Sequence, residues 1–363
     1  MADRETERRW LDQLTSTPTA PGYEQRVMGW VKTWAGRRSD LKVRTDEHGN
    51  LLITQKGRRS ADPVIAVAHM DHPGFVVTSV ERRRLCVVFR GGVRAEYFAK
   101  ARVEFFDGDD QIHRGRLDEF DPEPSTGTVL LDKSAPLRAG NIGRWSFGPN
   151  RGGAGERFIL APACDDLAGA AAALAALDRA RGDSALRHFG VLLTRAEEVG
   201  FIGAVGACIS GTVGTDSRLL SIECSRAFAD SPVGGGPIVR VGDASSVFDH
   251  ALTNRISEAA KGNGLKHQRK LMAGGSCEAT AFVAYGYRAT GLCLPVGNYH
   301  NMGYLDEVER GKGIATPLPE VVSLDDFHGL VDLLLLSARV LDEPSPLRDR
   351  LDDRFESERQ ILT

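Results

Sequence analysis

The residues of this chain best suited to chemistry fall in five separated clusters, in the order His69-Met70-Asp71, Cys164-Asp165-Asp166, Glu197-Glu198, Glu223 and His300. Histidines and carboxylates are the hard and borderline donors that divalent cations take, and carboxylates are also the commonest general bases after histidine. Each cluster follows an apolar run that reads as a strand: 64–68, 158–160, 190–194, 219–222 and 290–294. If those runs share one open sheet, the side chains gather along the carboxyl ends of its strands, the rim where open α/β sheets bind ligands.

Singly, each cluster has an ordinary reading. His69-x-Asp71 is a metal half-site in which the aspartate holds the second ring nitrogen, or it is a surface turn. Asp165-Asp166 is a ligand pair, or the acidic start of a helix favoured by the helix dipole. Glu197-Glu198 places two charges at a buried strand end, where a cation removes the penalty of burying them. Together the clusters repel one another and call for cations, and three carboxylates against two divalent ions leave room for one hydroxide. His72 is expected to be solvated, since it departs from the apolar alternation on either side.

The elements that must position these groups are legible in outline. Helices are expected over 3–14 and 24–35, and strands over 41–45 and 51–55 flank a turn at Asp46-Glu47-His48-Gly49-Asn50. From 75 to 157 short alternating strands and turn-rich stretches replace any helical period, which implies a small all-β domain inserted into the first. The α/β pattern resumes with a helix over 165–181, then helical stretches at 200–209 and 246–260 and a last amphipathic helix over 324–341. Gly234-Gly235-Gly236 reads as a flexible loop, since no nucleotide motif surrounds it. The expected division is 1–75 with 158–345 as a discontinuous catalytic domain, 76–157 as a barrel-like insert, and 346–363 as a charged extension.

Bulk properties narrow the partners. At 363 residues the chain supports two domains, and a formal charge of -3 offers no polyanion-binding surface, so nucleic acid is not an expected partner. No apolar run reaches the ~18 residues that span a bilayer, and the charged start lacks signal-peptide character, so no membrane association and a cytoplasmic location are expected. Six scattered cysteines without a Cys-x-x-Cys pair argue against a zinc ribbon or a disulfide framework.

The series Gly22-Tyr23-Glu24, Asp46-x-x-Gly49-Asn50, His69-Met70-Asp71, Asp165-Asp166, Thr194-x-x-Glu197-Glu198-Val199-Gly200 with Gly203-Ala204, and His300 resembles the M42 family of metallo-aminopeptidases, of the glutamyl aminopeptidase and TET type. The resemblance implies an α/β/α sandwich with a mixed central sheet, interrupted by a β domain that helps build homo-oligomers. It implies two divalent ions, zinc foremost with cobalt or manganese accepted. In it Asp165 bridges the ions, His69 and Glu223 complete one site, and Glu198 and His300 complete the other. It further makes Glu197 the general base and Asp71 the partner of His69, with Asp166 behind the ligands. Amino-terminal residues of peptide substrates would be removed through a metal-bridging hydroxide. The alternatives are an M20-like amidohydrolase or dipeptidase on N-acylated amino acids, and a non-catalytic metal-binding assembly protein. The chain departs from the family pattern at His72-Pro73, at Glu223 in place of aspartate, at Gly274-Gly275-Ser276-Cys277-Glu278, and at Asn298-Tyr299-His300-Asn301. Glu278 is a candidate for holding the substrate's free amine.

Overall fold

The structure is a computed structural model and describes residues 2–57, 61–147, 157–341 and 347–362, without the side chain of Arg348. Residues 148–156, the last stretch of the expected insert before its end at 157, and the start of the extension at 346 lie outside the described residues.

The amino-terminal helices α1 (Arg4–Ser16) and α2 (Gln25–Gly36) lead into β1 (Leu41–Thr45), β2 (Leu51–Gln55) and β3 (Val64–His69). Asp3 caps α1 by accepting from the Thr6 amide at 2.8 Å. Six strands follow: β4 (Gly74–Glu81), β5 (Arg84–Arg90), β6 (Arg102–Phe106), β7 (Ile112–Asp121), β8 (Thr126–Leu131) and β9 (Ile142–Trp145). They close into a barrel in the order β4-β5-β8-β7-β6-β9, all neighbours antiparallel. Alternate residues point inward, so Phe75, Phe89, Phe105 and Trp145 fill the interior, the Phe75 and Trp145 rings meeting edge-on at 5.0 Å.

After β10 (Phe158–Ala161), which pairs with Glu320–Ser323, the chain returns to the first sheet through α3 (Leu167–Ala180) and β11 (Phe189–Thr194). Then come α4 (Ile202–Ile209), β12 (Arg218–Arg226), β13 (Ile238–Asp243), α5 (His250–Gly262), β14 (Gln268–Met272), α6 (Glu278–Ala284) and β15 (Arg288–Val296). The last helices are α7 (Leu305–Glu309), α8 (Leu324–Val340) and α9 (Leu347–Glu358). The eight-stranded central sheet has the order β1-β2-β11-β3-β12-β15-β13-β14, with β11, β3, β12 and β15 parallel and both flanks carrying antiparallel pairings. This is a mixed α/β fold with a mixed sheet.

Period-two alternation in β3 divides the core. Val64, Ala66 and Ala68 pack with α1, α3, α5 and α8, whereas Ile65 and Val67 pack with α4 and α6 on the other face. A parallel strand covered on both sides reads as an unbroken apolar run, as the sequence shows here. Helix α3 is built from alanine and so lies close to the sheet; a Cβ on Gly169 would stand 2.6 Å from Ile222 Cγ2.

Three expectations are corrected. The helix foreseen over 246–260 begins at His250, because Asp249 caps it through the Leu252 amide. The helix foreseen from Gly200 begins at Ile202, after a separate 3-10 turn at Glu197–Val199. The Gly234-Gly235-Gly236 loop is pinned, its Gly234 and Gly236 amides donating to the Asp326 carboxylate at 2.6 and 2.7 Å.

Candidate metal centre

Strand register brings three of the clusters to one rim. His69 ends β3 and stands opposite Thr194, the last residue of β11, and Glu197-Glu198 follow in the next turn. The β3–β12 ladder ends at Val67 and Ser221, so Glu223 lies two residues past that pair on β12. The strand itself continues to Arg226, paired with β15, so Glu223 is not at its end as the sequence implied. Asp165-Asp166, joined by a cis peptide bond, precede α3 and follow β10, which pairs with Glu320–Ser323 outside the central sheet, so the run 158–160 does not share that sheet as the sequence implied.

His300 is delivered differently, from a turn beyond β15 in which Asn298, His300 and Asn301 all have left-handed backbones, with φ of 54°, 53° and 63°. Such a run costs about 1 kcal/mol or more per residue and persists only where neighbours over-determine it. Here the His300 amide donates to Glu320 Oε1 at 2.7 Å, and the Asn301 side-chain amide donates to the carbonyls of Pro162 and Leu318. The His300 Nδ1 atom meets the Gly92 carbonyl of the barrel at 2.7 Å, and the Tyr299 ring stacks on the imidazole at 3.8 Å.

The five expected ligands converge. Asp165 Oδ1 lies 3.3 Å from His69 Nε2 and its Oδ2 lies 3.2 Å from His300 Nε2, so one carboxylate faces both histidines. Glu223 Oε1 is 3.7 Å from His69 Nε2, and Glu198 Oε1 is 3.1 Å from His300 Nε2. Three sets, His69 with Asp165 and Glu223, Asp165 with Glu198 and His300, and His69 with Glu197 and Glu198, each hold their donor atoms within 4.8 Å of one another, and the first two are the expected ligand sets. Yet His69 Nε2, Asp165 Oδ1, Glu198 Oε1, Glu223 Oε2 and His300 Nε2 are buried without a hydrogen-bond partner among the described residues. Buried donors and acceptors are otherwise paired almost without exception, so five orphans facing one another fit cations bound between them.

The electrostatics agree. Burial, then the charge of Asp165, pushes Glu223 up to about 8. Burial and then Glu223 drive Glu197 well above the carboxylate range, and burial raises Glu198 as well. Burial also acts to raise Asp165, but the histidines on its two oxygens outweigh it and hold it well down. Both histidines are raised despite burial, His69 chiefly by Glu197 and His300 chiefly by Glu198. Protons on imidazoles thus balance the acids where divalent ions would do so more strongly.

Around this set lie residues that position it. The Asp71 carboxylate accepts from the Glu197 amide at 3.0 Å and the Glu198 amide at 3.1 Å, while His69 Nδ1 is nearer the Asp71 carbonyl, at 3.2 Å, than its carboxylate, at 3.5 Å. Asp71 therefore fixes three functional side chains. Glu320, which sequence reading passed over, is fully buried and accepts from the amides of Cys164 at 2.6 Å, Asp165 at 3.0 Å and His300 at 2.7 Å. Its one sequence signal is an acid leading the apolar pair Val321-Val322, the pattern seen elsewhere but at the opposite strand end.

Other expectations change. His72 is buried and not solvated, contacting the Asp165 carbonyl at 2.6 Å and Asn301 Oδ1 at 3.2 Å. Asp166 holds the N-cap position of α3 but accepts no capping bond; burial drives its carboxyl well up, and it nests against Gly169, where a Cβ would stand 2.1 Å from Oδ1. Glu278 is buried behind His69 and Thr194 and does not line the cavity at the centre, so it is not placed to meet a substrate amine. That cavity, about 460 Å³, is lined by Asp165, Glu197, Glu198, Glu223 and His300, with Arg240, Met272, Tyr299 and Met302 among its walls.

Comparison with known proteins gives a class, the peptide-bond hydrolases, and within it the aminopeptidases. The M42 glutamyl aminopeptidase family model matches residues 140–310. A curated relative described as a putative aminopeptidase of Acetivibrio thermocellus is 24% identical over 310 residues, covering 81% of this chain and 87% of its own length. An aminopeptidase from the archaeon Desulfurococcus kamchatkensis has a similar fold, with a TM-score of 0.74 at 20% identity, covering 94% of this chain and 96% of that one. A TET aminopeptidase from a marine sediment thaumarchaeon gives 0.76 at 18%, covering 94% and 98%. The Pyrococcus horikoshii TET1 peptidase, described as assembling into a tetrahedron or a large octahedral shell, gives 0.73 at 19%, covering 92% and 99%. At such identities these structures speak for the fold, while the enzyme class rests on the family match and the curated relative. They bear out the M42 resemblance and the assignment of the chain as an enzyme that hydrolyses peptide bonds. The M42 family is metal-dependent. Among the described residues no helix is long and apolar enough to cross a membrane.

Proposed function

We propose that this chain is a di-metal aminopeptidase that removes amino-terminal residues from peptides, with Glu197 as general base. The observation that carries the reading is the carboxylate of Asp165, one oxygen toward His69 and Glu223 and the other toward His300 and Glu198, with unpartnered donor atoms on both sides. His69, Asp165 and Glu223 would hold one divalent ion, and Asp165, Glu198 and His300 the other. A donor set of two imidazoles and three carboxylates suits zinc, with cobalt and manganese also accepted. Such ions, when bound, polarise the carbonyl under attack and acidify water.

The protein's own groups do the rest. Glu197 lines the cavity with its Oε2 3.8 Å from His69 Nε2, beside the ligands but outside both proposed sets. Its carboxylate takes a proton from the attacking water and returns it to the leaving amine nitrogen, and burial supports this by raising its proton affinity. Asp71, through the amides of Glu197 and Glu198, fixes where base and ligand leave the backbone and orients His69. Tyr299 and Met302 shield the His300 side from water.

The same reading makes 1–75 with 158–345 the catalytic domain and 76–157 an insert serving assembly of a homo-oligomer, as the likeness to TET1 supports. Six free cysteines, five of them at least partly buried, support a reducing, cytoplasmic compartment. The test is cleavage of aminoacyl chromogenic substrates by the metal-loaded protein and its Glu197→Gln variant. The variant should retain its metal while kcat falls about 10²- to 10⁴-fold. Loss of metal together with activity would mean that Glu197 is a ligand and not the base.

A further inference from the structure

Four glycines line the cavity at the centre, Gly92, Gly200, Gly274 and Gly275, and for the last two the chain itself gives no account of the residue type. Gly200 has a left-handed backbone, with φ of 109°, and a Cβ on Gly92 would lie 3.9 Å from His300 Nδ1. Gly274 and Gly275 differ. Neither has a positive φ, and a Cβ built on either meets no atom within 4 Å. Neither backbone strain nor packing within the chain keeps a side chain off these positions.

Glycine also serves where a loop must flex, but this segment is held. Asp243, the last residue of β13, accepts through Oδ1 from the Ser245 and Ser246 amides at 2.8 and 2.9 Å, and through Oδ2 from the Cys277 amide at 3.0 Å and the Thr280 hydroxyl at 2.6 Å. The Gly275 carbonyl accepts from the Ala244 amide at 3.0 Å, and the Ser276 hydroxyl meets that of Ser245. On the other side Met272 ends β14 and is buried. The stretch between Met272 and Cys277 is thus a short wall fixed at both ends. Its two glycines are exposed, and a side chain on either would enter space that the rest of the chain leaves open.

We infer that Gly274-Gly275 is a bare backbone wall against which the peptide substrate lies, so that these two positions set how large a substrate group the cavity admits. Resting on the aminopeptidase reading, this assigns a specificity determinant of that same site. A backbone stripped of side chains lets a second chain approach closely, which is the remaining use of glycine here. Two parts of a peptide fit the wall: the side chain of the first residue, and the chain beyond the bond that is cut. A methyl or methylene group placed in such contact changes selection between substrates by about tenfold or more.

Matched pairs separate the two. The metal-loaded protein and its Gly274→Val and Gly275→Val variants are assayed on alanyl against leucyl anilides, and on an alanine dipeptide against an alanine tetrapeptide. In at least one variant the kcat/KM of the larger member relative to the smaller should fall about tenfold below the unmodified ratio, and the pair affected identifies the substrate group. The corresponding Gly→Ala variant should show a smaller fall. Metal content and melting temperature should match those of the unmodified protein, because the added side chain enters open space. Ratios unchanged in both valine variants overturn the inference. So do equal losses on both members accompanied by lost metal or a lowered melting temperature, which would give the glycines a structural role. If the unmodified protein cleaves no peptide, the aminopeptidase reading fails separately; binding of the same peptides is then compared by calorimetric titration, and binding that is absent, or equal in unmodified and valine proteins, overturns the wall.

Discussion

Glu320 and Asp71 do the same work from opposite sides of the centre: each spends both carboxylate oxygens on backbone amides that precede or carry functional side chains. Through Glu320 the proposed bridge, Asp165, and the turn-borne His300 share one support, and the left-handed backbone at His300 depends on it. Replacing Glu320 by alanine leaves three amides unsatisfied, and the strained turn should relax. The expected outcome is a 10- to 100-fold loss of metal affinity, the usual effect of removing a group that holds ligands, read by chelator competition. It should fall on both ions through Asp165 but more heavily on the one that His300 would hold, and Glu320→Gln, which keeps one acceptor oxygen, should recover part of it. Equal loss of both ions would mean that Glu320 supports the whole fold and not the His300 side.

Among the elements, α1, α3 and α8 are tied by a buried charge. Glu7 on α1 is fully buried, accepts from Arg179 on α3 at 2.5 and 2.8 Å, and meets His328 on α8 at 3.1 Å. Burial acts to raise its carboxyl, but the hydrogen bonds from His328 and Arg179 prevail and hold it below its ordinary value near 4.5. A carboxyl depressed in the folded state stabilises above its unfolded value, and that contribution is lost as pH falls through the folded one. Glu7→Gln should therefore lower stability at neutral pH by about 3 kcal/mol in denaturant melts and flatten the acid limb below about pH 4.5. An unchanged acid limb would remove Glu7 from the account.

Strands and helices of this layer were legible wherever a period was long and one-sided, as in β3, β11 and α3. His69 and Glu197-Glu198 could be placed because they sit where β3 and β11 end. His300 could be ordered but not positioned, since its place depends on a turn secured by Glu320 and by the barrel carbonyl of Gly92, both remote in sequence. His72 misled because one-strand alternation cannot register a partner such as the Asp165 carbonyl.

Over the whole molecule, the central sheet presents four parallel strand ends and the barrel closes the rim, its Gly92 carbonyl reaching His300. The two parts meet at the centre, so metal binding and stability should be linked. Ions that bind only the folded state stabilise it by mass action, and stripping them leaves buried acids to repel one another.

The most direct test is a metal titration of the chelator-stripped protein, with zinc, cobalt or manganese, that follows cleavage of aminoacyl substrates and thermal stability together. Activity should be absent without metal and complete at two equivalents per chain, with the melting temperature rising over the same range. Cleavage at full rate by metal-free protein, or none at any metal loading, would contradict the di-metal aminopeptidase account.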